Sequence, residues 1–275
     1  MTSREPVDIA AIRAAVANPN GPYARVDYTA FTGSTNADLV AAGHQNAPAW
    51  TAAVTEYQNS GRGRHGRVWT APKGSQVTLS ILIRPTAESI ERLGTMPLVS
   101  GLAIIDALTA TAARHPDATD KLTPQLKWPN DVLIDGRKLC GILAEAVSLG
   151  PEPAVVIGLG LNVSITTEEL PVPHPTSPDL EAPGIEIDRA QLTADVLLAL
   201  HHRINQWVDA DPQLMADYRA VCSSIGADVK VLLPGDEELL GTVRDVADDG
   251  RLVVVDKQGS EHVLAAGDVT HLRLQ

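Results

Sequence analysis

The sequence predicts an α+β protein, a mixed sheet flanked by helices, with a small β-barrel at its C-terminal end. Strand-like and helix-like segments follow one another irregularly up to residue 224, and past Gly226 the pattern turns to short alternating strands between tight turns. Apolar residues make up 44% of the 275 and aromatics only 3%, so the core is aliphatic and large enough for one big unit plus a small one. The division falls between residues 1–224 and 225–275.

Taken in order, Asp8 caps a short helix with Ile9, Ile12 and Val16 on one face, and Asn18-Pro19-Asn20-Gly21-Pro22 ends it. Arg25 to Thr32 alternates as a strand. Ser34 or Thr35 then caps a helix that Gly43 should stop. This strand-to-capped-helix junction leaves N–H groups free for an anion, although taken alone an ordinary cap is the simpler explanation. Thr51 to Tyr57 and Gln76 to Arg84 read as strands, and Pro97 to Arg114 as an apolar core helix. Ala154 to Leu161 is a strand rich in glycine, a sign of close approach by a ligand or another backbone. The proline-rich run Glu168 to Gly184 reads as a long surface loop. Asp188 caps a strong helix reaching Asp209, with Leu192, Val196, Leu200 and Ile204 on one face, and a second helix covers Pro212 to Cys222. Strands follow at Val229–Leu233, Leu239–Val246, Leu252–Asp256, Glu261–Leu264 and Val269–Leu274, with turns at Pro234-Gly235-Asp236, Asp249-Gly250 and Gln258-Gly259.

A net charge of -12 argues against a general nucleic-acid binder. No run reaches the roughly 18 apolar residues of a membrane span, and no apolar signal region follows the N-terminus. Cys140 and Cys222 lie far apart without metal-type spacing, which points to a reducing cytoplasm, and the scattered histidines suggest no zinc site.

Against this acidity, Gly61 to Arg67 packs three arginines, a histidine and three glycines into seven residues. Repelling charges on a glycine-rich backbone stay ordered only when an anion joins them, so the run reads as a mobile loop closing over a phosphate or carboxylate. A solvated arginine-rich hairpin tip explains it as well on local grounds. Gly61, Gly63 and Gly66 also spell a dinucleotide fingerprint, but Pro72 and Gly74 deny it the helix it needs.

The second dense stretch is Leu126 to Leu143. Trp128-Pro129-Asn130-Asp131 makes a turn and Asp135-Gly136 a hairpin. Lys138 then opens an apolar strand. An unpaired buried lysine is costly, so it faces either an anionic ligand or, snorkelling, water. Asp131 is a turn residue or a magnesium ligand, and Cys140 a small core residue.

Together Ser34-Thr35-Asn36, Glu56-Tyr57-Gln58, Gly61 to Trp69, Lys127-Trp128-Pro129-Asn130-Asp131, Lys138 to Leu143 and Gly158-Leu159-Gly160-Leu161-Asn162 resemble the biotin–protein ligase family across roughly residues 25 to 165. The resemblance implies a sheet of the class II aminoacyl-tRNA synthetase/biotin ligase type and an SH3-like C-terminal barrel. It implies that biotin and ATP, with Mg²⁺, form biotinyl-5′-AMP, from which biotin passes to one lysine of the biotin carboxyl carrier domain of an acyl-CoA carboxylase. It further implies that Ser34, Thr35, Asn36, Gln58, Gly61, Arg62, Gly63, Arg64, Lys138, Gly141, Gly158 and Gly160 bind biotin. Arg62, Arg64, Arg67, Trp69, Lys127, Asn130, Lys138 and Asn162 would hold ATP or the adenylate. Lys138, Arg64 and Asp131 would act in catalysis, with Asp131 the protein contact of magnesium. His65 should matter little.

Some relatives carry an N-terminal DNA-binding domain. Fewer than 30 residues precede the first catalytic strand here, so a ligase without DNA binding or repression is expected, soluble in the cytoplasm and not attached to a membrane. Two rivals remain, a nucleic-acid module using the Arg/Gly loop and a lipoate–protein ligase on the same fold. Ordering some ten loop residues costs on the order of 10 kcal/mol gross, which ligand contacts must offset. Residues Gly61 to Lys73 should therefore be cleaved by protease in the empty enzyme and protected by biotinyl-AMP; equal cleavage in both states contradicts the mobile-loop reading.

Overall fold

The structure, a computed structural model, describes residues 4–170, 175–233, 237–265 and 267–272. Asp8 accepts hydrogen bonds from the N–H groups of Ala10 and Ala11 and starts α1 (Ile9–Val16), which buries Ile12 and Val16. Strand β1 (Arg25–Thr29) ends three residues before Thr32, where Thr32 N–H turns to the Tyr57 carbonyl. Ser34 caps α2 (Thr35–His44). Gly43 does not stop this helix but lies within it, packed so close to the sheet that a Cβ would stand 3.1 Å from Val147 Cγ1.

The chain continues through β2 (Thr51–Thr55), β3 (Gln76–Ile83), α3 (Ala87–Ile90) and α4 (Met96–Ala113). Next come β4 (Gln125–Lys127), β5 (Asp131–Ile134), β6 (Arg137–Ser148) and β7 (Ala154–Asn162). Their sheet has the order β1-β2-β3-β7-β6-β5-β4, parallel only between β1 and β2. After α5 (Pro178–Glu181), α6 (Arg189–Val208) runs from its Asp188 cap with Leu192, Val196, Leu200 and Ile204 all buried, and α7 (Gln213–Val221) follows.

Contrary to the reading of the sequence, one segment, Leu93–Ala113, is long and apolar enough to cross a membrane. Two thirds of it (67%) is buried, and α4 packs against α6 and the back of the sheet as the core helix. The proline-rich run is not all surface loop either. Thr176 and Ser177 are fully buried, and Thr176 N–H donates to the Lys138 carbonyl at 2.8 Å, so this segment lies along β6. Pro171 and Pro173 lie outside the described residues, as do Pro234-Gly235-Asp236 and the last residues of the expected final strand, Arg273 and Leu274.

Strands β8 (Asp228–Leu232), β9 (Glu238–Val246), β10 (Leu252–Asp256), β11 (Glu261–Leu264) and β12 (Asp268–His271) form one antiparallel sheet ordered β11-β10-β9-β8-β12. Among the described residues no ladder joins β11 to β12, so the sheet is hydrogen-bonded as an open one. It shares a core with the large sheet: Val229, Val246 and Leu252 cluster with Leu126 and Trp128.

The contact centres on Trp128, 3% exposed. Its indole N–H donates to the Gly250 carbonyl at 2.9 Å, and its backbone N–H to Ser224 Oγ at 3.2 Å. Ser224 Oγ in turn lies 3.0 Å from His271 Nε2, and burial, then the charge of Lys127, holds that imidazole below the ordinary histidine value. The turn between β4 and β5 is thus fastened to the C-terminal sheet. Trp128→Phe keeps an aromatic but strands the Gly250 carbonyl; urea unfolding should show a loss of about 1–3 kcal/mol, and an unchanged midpoint would contradict the role given to this bond.

Candidate active site

Side chains alternate across a strand, so each central strand offers one face to the α4–α6 core and the other to α2. On β3, Val77, Leu79 and Ile81 join the core, whereas Gln76 and Ser80 line a cavity of ≈ 540 Å³. On β7, Ile157 and Leu161 face the core and Gly158, Gly160 and Asn162 the cavity; on β6, Cys140 is core and Gly141 cavity, and Leu159 and Ile142 belong to the core while also bordering the cavity. Burial raises the Cys140 thiol far above its ordinary range, so it stays protonated and inert.

The α2 end of the cavity has a neutral, polar floor. Gln58 Oε1 accepts from Thr35 N–H at 2.7 Å, and Thr35 Oγ1 lies 2.7 Å from Ser80 Oγ. Ser80 donates to Asn36 Oδ1, and Asn36 Nδ2 to Glu145, each at 2.6 Å. From sequence, the glycines of β7 mark close approach by a ligand or another backbone. What they accommodate here is the chain's own side chains. A Cβ on Gly158 would stand 1.9 Å from Asn36 Oδ1, and one on Gly160 2.2 Å from the Trp69 indole nitrogen. Gly141 lies under the same indole, a Cβ there being 3.1 Å from Cζ3.

The opposite end is cationic. Lys138 Nζ pairs with Asp131 Oδ1 at 2.6 Å and stands 5.4 Å from the Trp69 ring centre, so the lysine entering the apolar strand is neither snorkelling nor unpaired. Lys127 also lines the cavity, and burial lowers its ammonium from the ordinary lysine value before any charge acts. Arg62, Gly63, Arg64 and Arg67 come from the glycine-rich loop above. That loop closes on itself through Trp69 N–H to the Gly61 carbonyl at 2.9 Å and Gly63 N–H to the Arg67 carbonyl at 2.7 Å. Asn130 bridges loop and sheet: Oδ1 accepts from Arg64 at 3.2 Å, and Nδ2 donates to the Ile142 carbonyl at 3.0 Å.

Of the residues singled out from sequence, only Gly61 does not line the cavity. It is buried at the loop's neck, where a Cβ would stand 2.4 Å from the Trp69 carbonyl oxygen. Asn162 lines the wall with both ends of its amide engaged by the chain itself: it accepts from Gln76 at 2.6 Å and donates to the Thr176 carbonyl at 2.8 Å. Sequence reasoning missed Gln76 and Ser80, although Gln76, Thr78 and Ser80 form a polar alternation in an apolar strand. It also missed Pro175, and Asp268 to Thr270 of the C-terminal sheet, which carry no local signal.

A polar floor, a lysine–aspartate pair and an arginine loop over one strand face are the parts of an acyl-activating site. The chain belongs to the biotin/lipoate A/B protein ligase family, whose model matches residues 28–162. Residues 224–272 match the biotin protein ligase C-terminal domain. The biotin–[acetyl-CoA-carboxylase] ligase of Mycobacterium tuberculosis is 40% identical over 98% of this chain and 97% of its own length. A bifunctional ligase/repressor from Escherichia coli is 30% identical over 74% of this chain and 61% of its own. The fold is that of the Aquifex aeolicus biotin protein ligase solved in complex with biotin and ATP, with a TM-score of 0.75 at 23% identity, covering 92% of this chain and 100% of that one.

The glycine contacts give a direct check. Gly158→Ala must push Asn36 off the floor; overpacking of this kind costs about 1–3 kcal/mol. The Michaelis constant for biotin should rise in that variant, and an unaltered value would remove Asn36 and Gly158 from the binding floor.

Proposed function

We propose that this chain activates biotin with ATP to biotinyl-5′-AMP and transfers it to a lysine of a biotin carboxyl carrier domain. The observation that carries the reading is the pairing of opposite ends in one cavity. A neutral hydrogen-bonding floor formed by Thr35, Asn36, Gln58 and Ser80 suits a ureido ring. A cationic mouth around Lys138 suits a carboxylate meeting a phosphate. Lipoate offers an apolar dithiolane to that floor and would leave its polar groups unpaired, a mismatch that costs far more than a missing methylene.

In the first step a biotin carboxylate oxygen attacks the α-phosphorus, the bond to the bridging oxygen breaks and pyrophosphate leaves. Two anions must approach, and Lys138 lies where its ammonium can offset their repulsion. Arg64 and Arg67 hold phosphate oxygens from above, and Arg62 contributes from the same loop. Lys127, part-buried and with a lowered affinity for its proton, faces the nucleotide side. In the second step the neutral ε-amine of the carrier lysine attacks the acyl carbon of the mixed anhydride, AMP leaves and the amine gives up a proton. Asp131 is bound to Lys138, so its first task is to orient that ammonium.

Among the described residues no three carboxylate, histidine or cysteine side chains gather into a metal cage. This fits Mg²⁺, which is held chiefly by substrate phosphates and water. Asp131, with one oxygen on Lys138 and a second to offer, would be its protein contact, and the ion would neutralise triphosphate charge. Residues 1–224 form the catalytic unit in this reading and residues 225–275 the accessory one. The two buried, unpaired cysteines accord with a reducing cytoplasm.

Pyrophosphate exchange tests the reading: biotin should support it and lipoate should not. Lys138→Ala should slow exchange by at least about 10²-fold, the loss typical of one charge-stabilising donor, and a near-normal rate would refute its role.

A further inference from the structure

The arginines of the loop already face an anion, and it belongs to the C-terminal sheet. Asp268 Oδ2 pairs with the Arg67 guanidinium across 201 residues of sequence. Its Oδ1 stands 3.9 Å from Arg64 Nη1 and 3.9 Å from His65 Nε2. Three basic side chains from one short run thus converge on a single carboxylate that lines the catalytic cavity. A carboxylate there repels a triphosphate, so it opposes nucleotide binding unless it has another task.

We propose that Asp268 is a positioning residue that takes the place of the nucleotide's phosphates. In the empty enzyme it collects Arg67, Arg64 and His65 over the cavity, and ATP displaces it. This rests on the reading of Arg64 and Arg67 as phosphate contacts. Two features support it. The anion stands on a strand and the cations on a loop: β12 is laddered to β8 with Asp268 opposite Leu232, whereas the loop turns through His65 at φ 55° and Gly66 at φ 70°. The pair is also easily exchanged. Arg67 is 68% and Asp268 27% exposed, so their attraction is weak, and a triphosphate offers more charge and bidentate acceptors.

The full-length enzyme is compared with Asp268→Asn, Asp268→Glu, Arg67→Ala and the Asp268→Asn/Arg67→Ala double variant. Pyrophosphate exchange gives the Michaelis constants for ATP and biotin, and trypsin gives the exposure of the loop arginines. Removing a half-exposed pair should change these quantities about two- to five-fold. In Asp268→Asn the constant for ATP should fall by that factor with the constant for biotin unchanged. Trypsin should cut the empty loop faster by a similar factor, yet no faster when biotinyl-AMP is bound. Asp268→Glu, which keeps the charge, should restore slow cleavage, and Asp268→Asn should have a smaller effect on ATP when Arg67 is already alanine. An unchanged or raised constant for ATP in Asp268→Asn, with Arg67→Ala still weakening ATP, overturns the proposal alone. An unchanged constant for ATP in Arg67→Ala overturns the phosphate reading beneath it.

Discussion

Mutual repulsion among Arg62, Arg64, Arg67, Lys127 and Lys138 is the constraint to which the site is built. All of them line one cavity of a chain whose net charge is -12. Four of the five are handled differently. Lys138, a third exposed, has an aspartate at 2.6 Å and an indole face beside it. Lys127, more deeply set, gives up part of its proton affinity. Arg64 leans on the amide of Asn130. Arg67 reaches outward to Asp268. A free-standing cluster would spring apart, whereas these four have a partner or a lowered proton affinity to offset the repulsion.

The sheet makes the arrangement possible by giving its two faces different work. Because residues alternate, the same strands that fill the aliphatic core with Leu79, Ile157 and Cys140 present Ser80, Gly158 and Gly141 to the cavity. The register then decides what meets what. Gly158 pairs opposite Ser80 and Gly160 opposite Thr78, so the absent side chains on β7 leave room for Asn36 and for the Trp69 indole beside the polar positions of β3. A one-residue slip would send the polar residues into the core and the aliphatic ones into the site.

Much of this was legible in the sequence because local rules govern it. Asp8, Ser34 and Asp188 announce their helices through capping chemistry, and Asp135-Gly136 makes the hairpin it spells, both residues having positive φ. The cationic loop and Lys138 stood out by charge against an acidic background. What stayed hidden depends on partners distant in sequence. Nothing near Asp131 says that it pairs with Lys138, and nothing near Asn162 says that it accepts from Gln76 and donates to the Thr176 carbonyl. Gly43 has the look of a helix stop, but contact with Val147 explains it better. The buried course of Thr176 and Ser177 was concealed by the prolines around them, which usually mark surface loops.

The C-terminal sheet is the part whose contribution could least be read locally, and its two contacts with the site differ in kind. Trp128 is buried, and its bond to the Gly250 carbonyl can be broken only by stranding a polar group away from water. That contact is structural and permanent; it fixes the turn that delivers Lys127, Asn130 and Asp131. Asp268 meets Arg67 near the surface, where water and salt compete for both charges and the bond can open without unfolding anything. One sheet thereby holds the turn in the cavity wall firmly and the arginine loop above it lightly. An enzyme that must admit ATP, enclose a reactive anhydride and then open to a carrier lysine needs both strengths of contact, and a single small sheet can supply them because its two contacts sit at different depths.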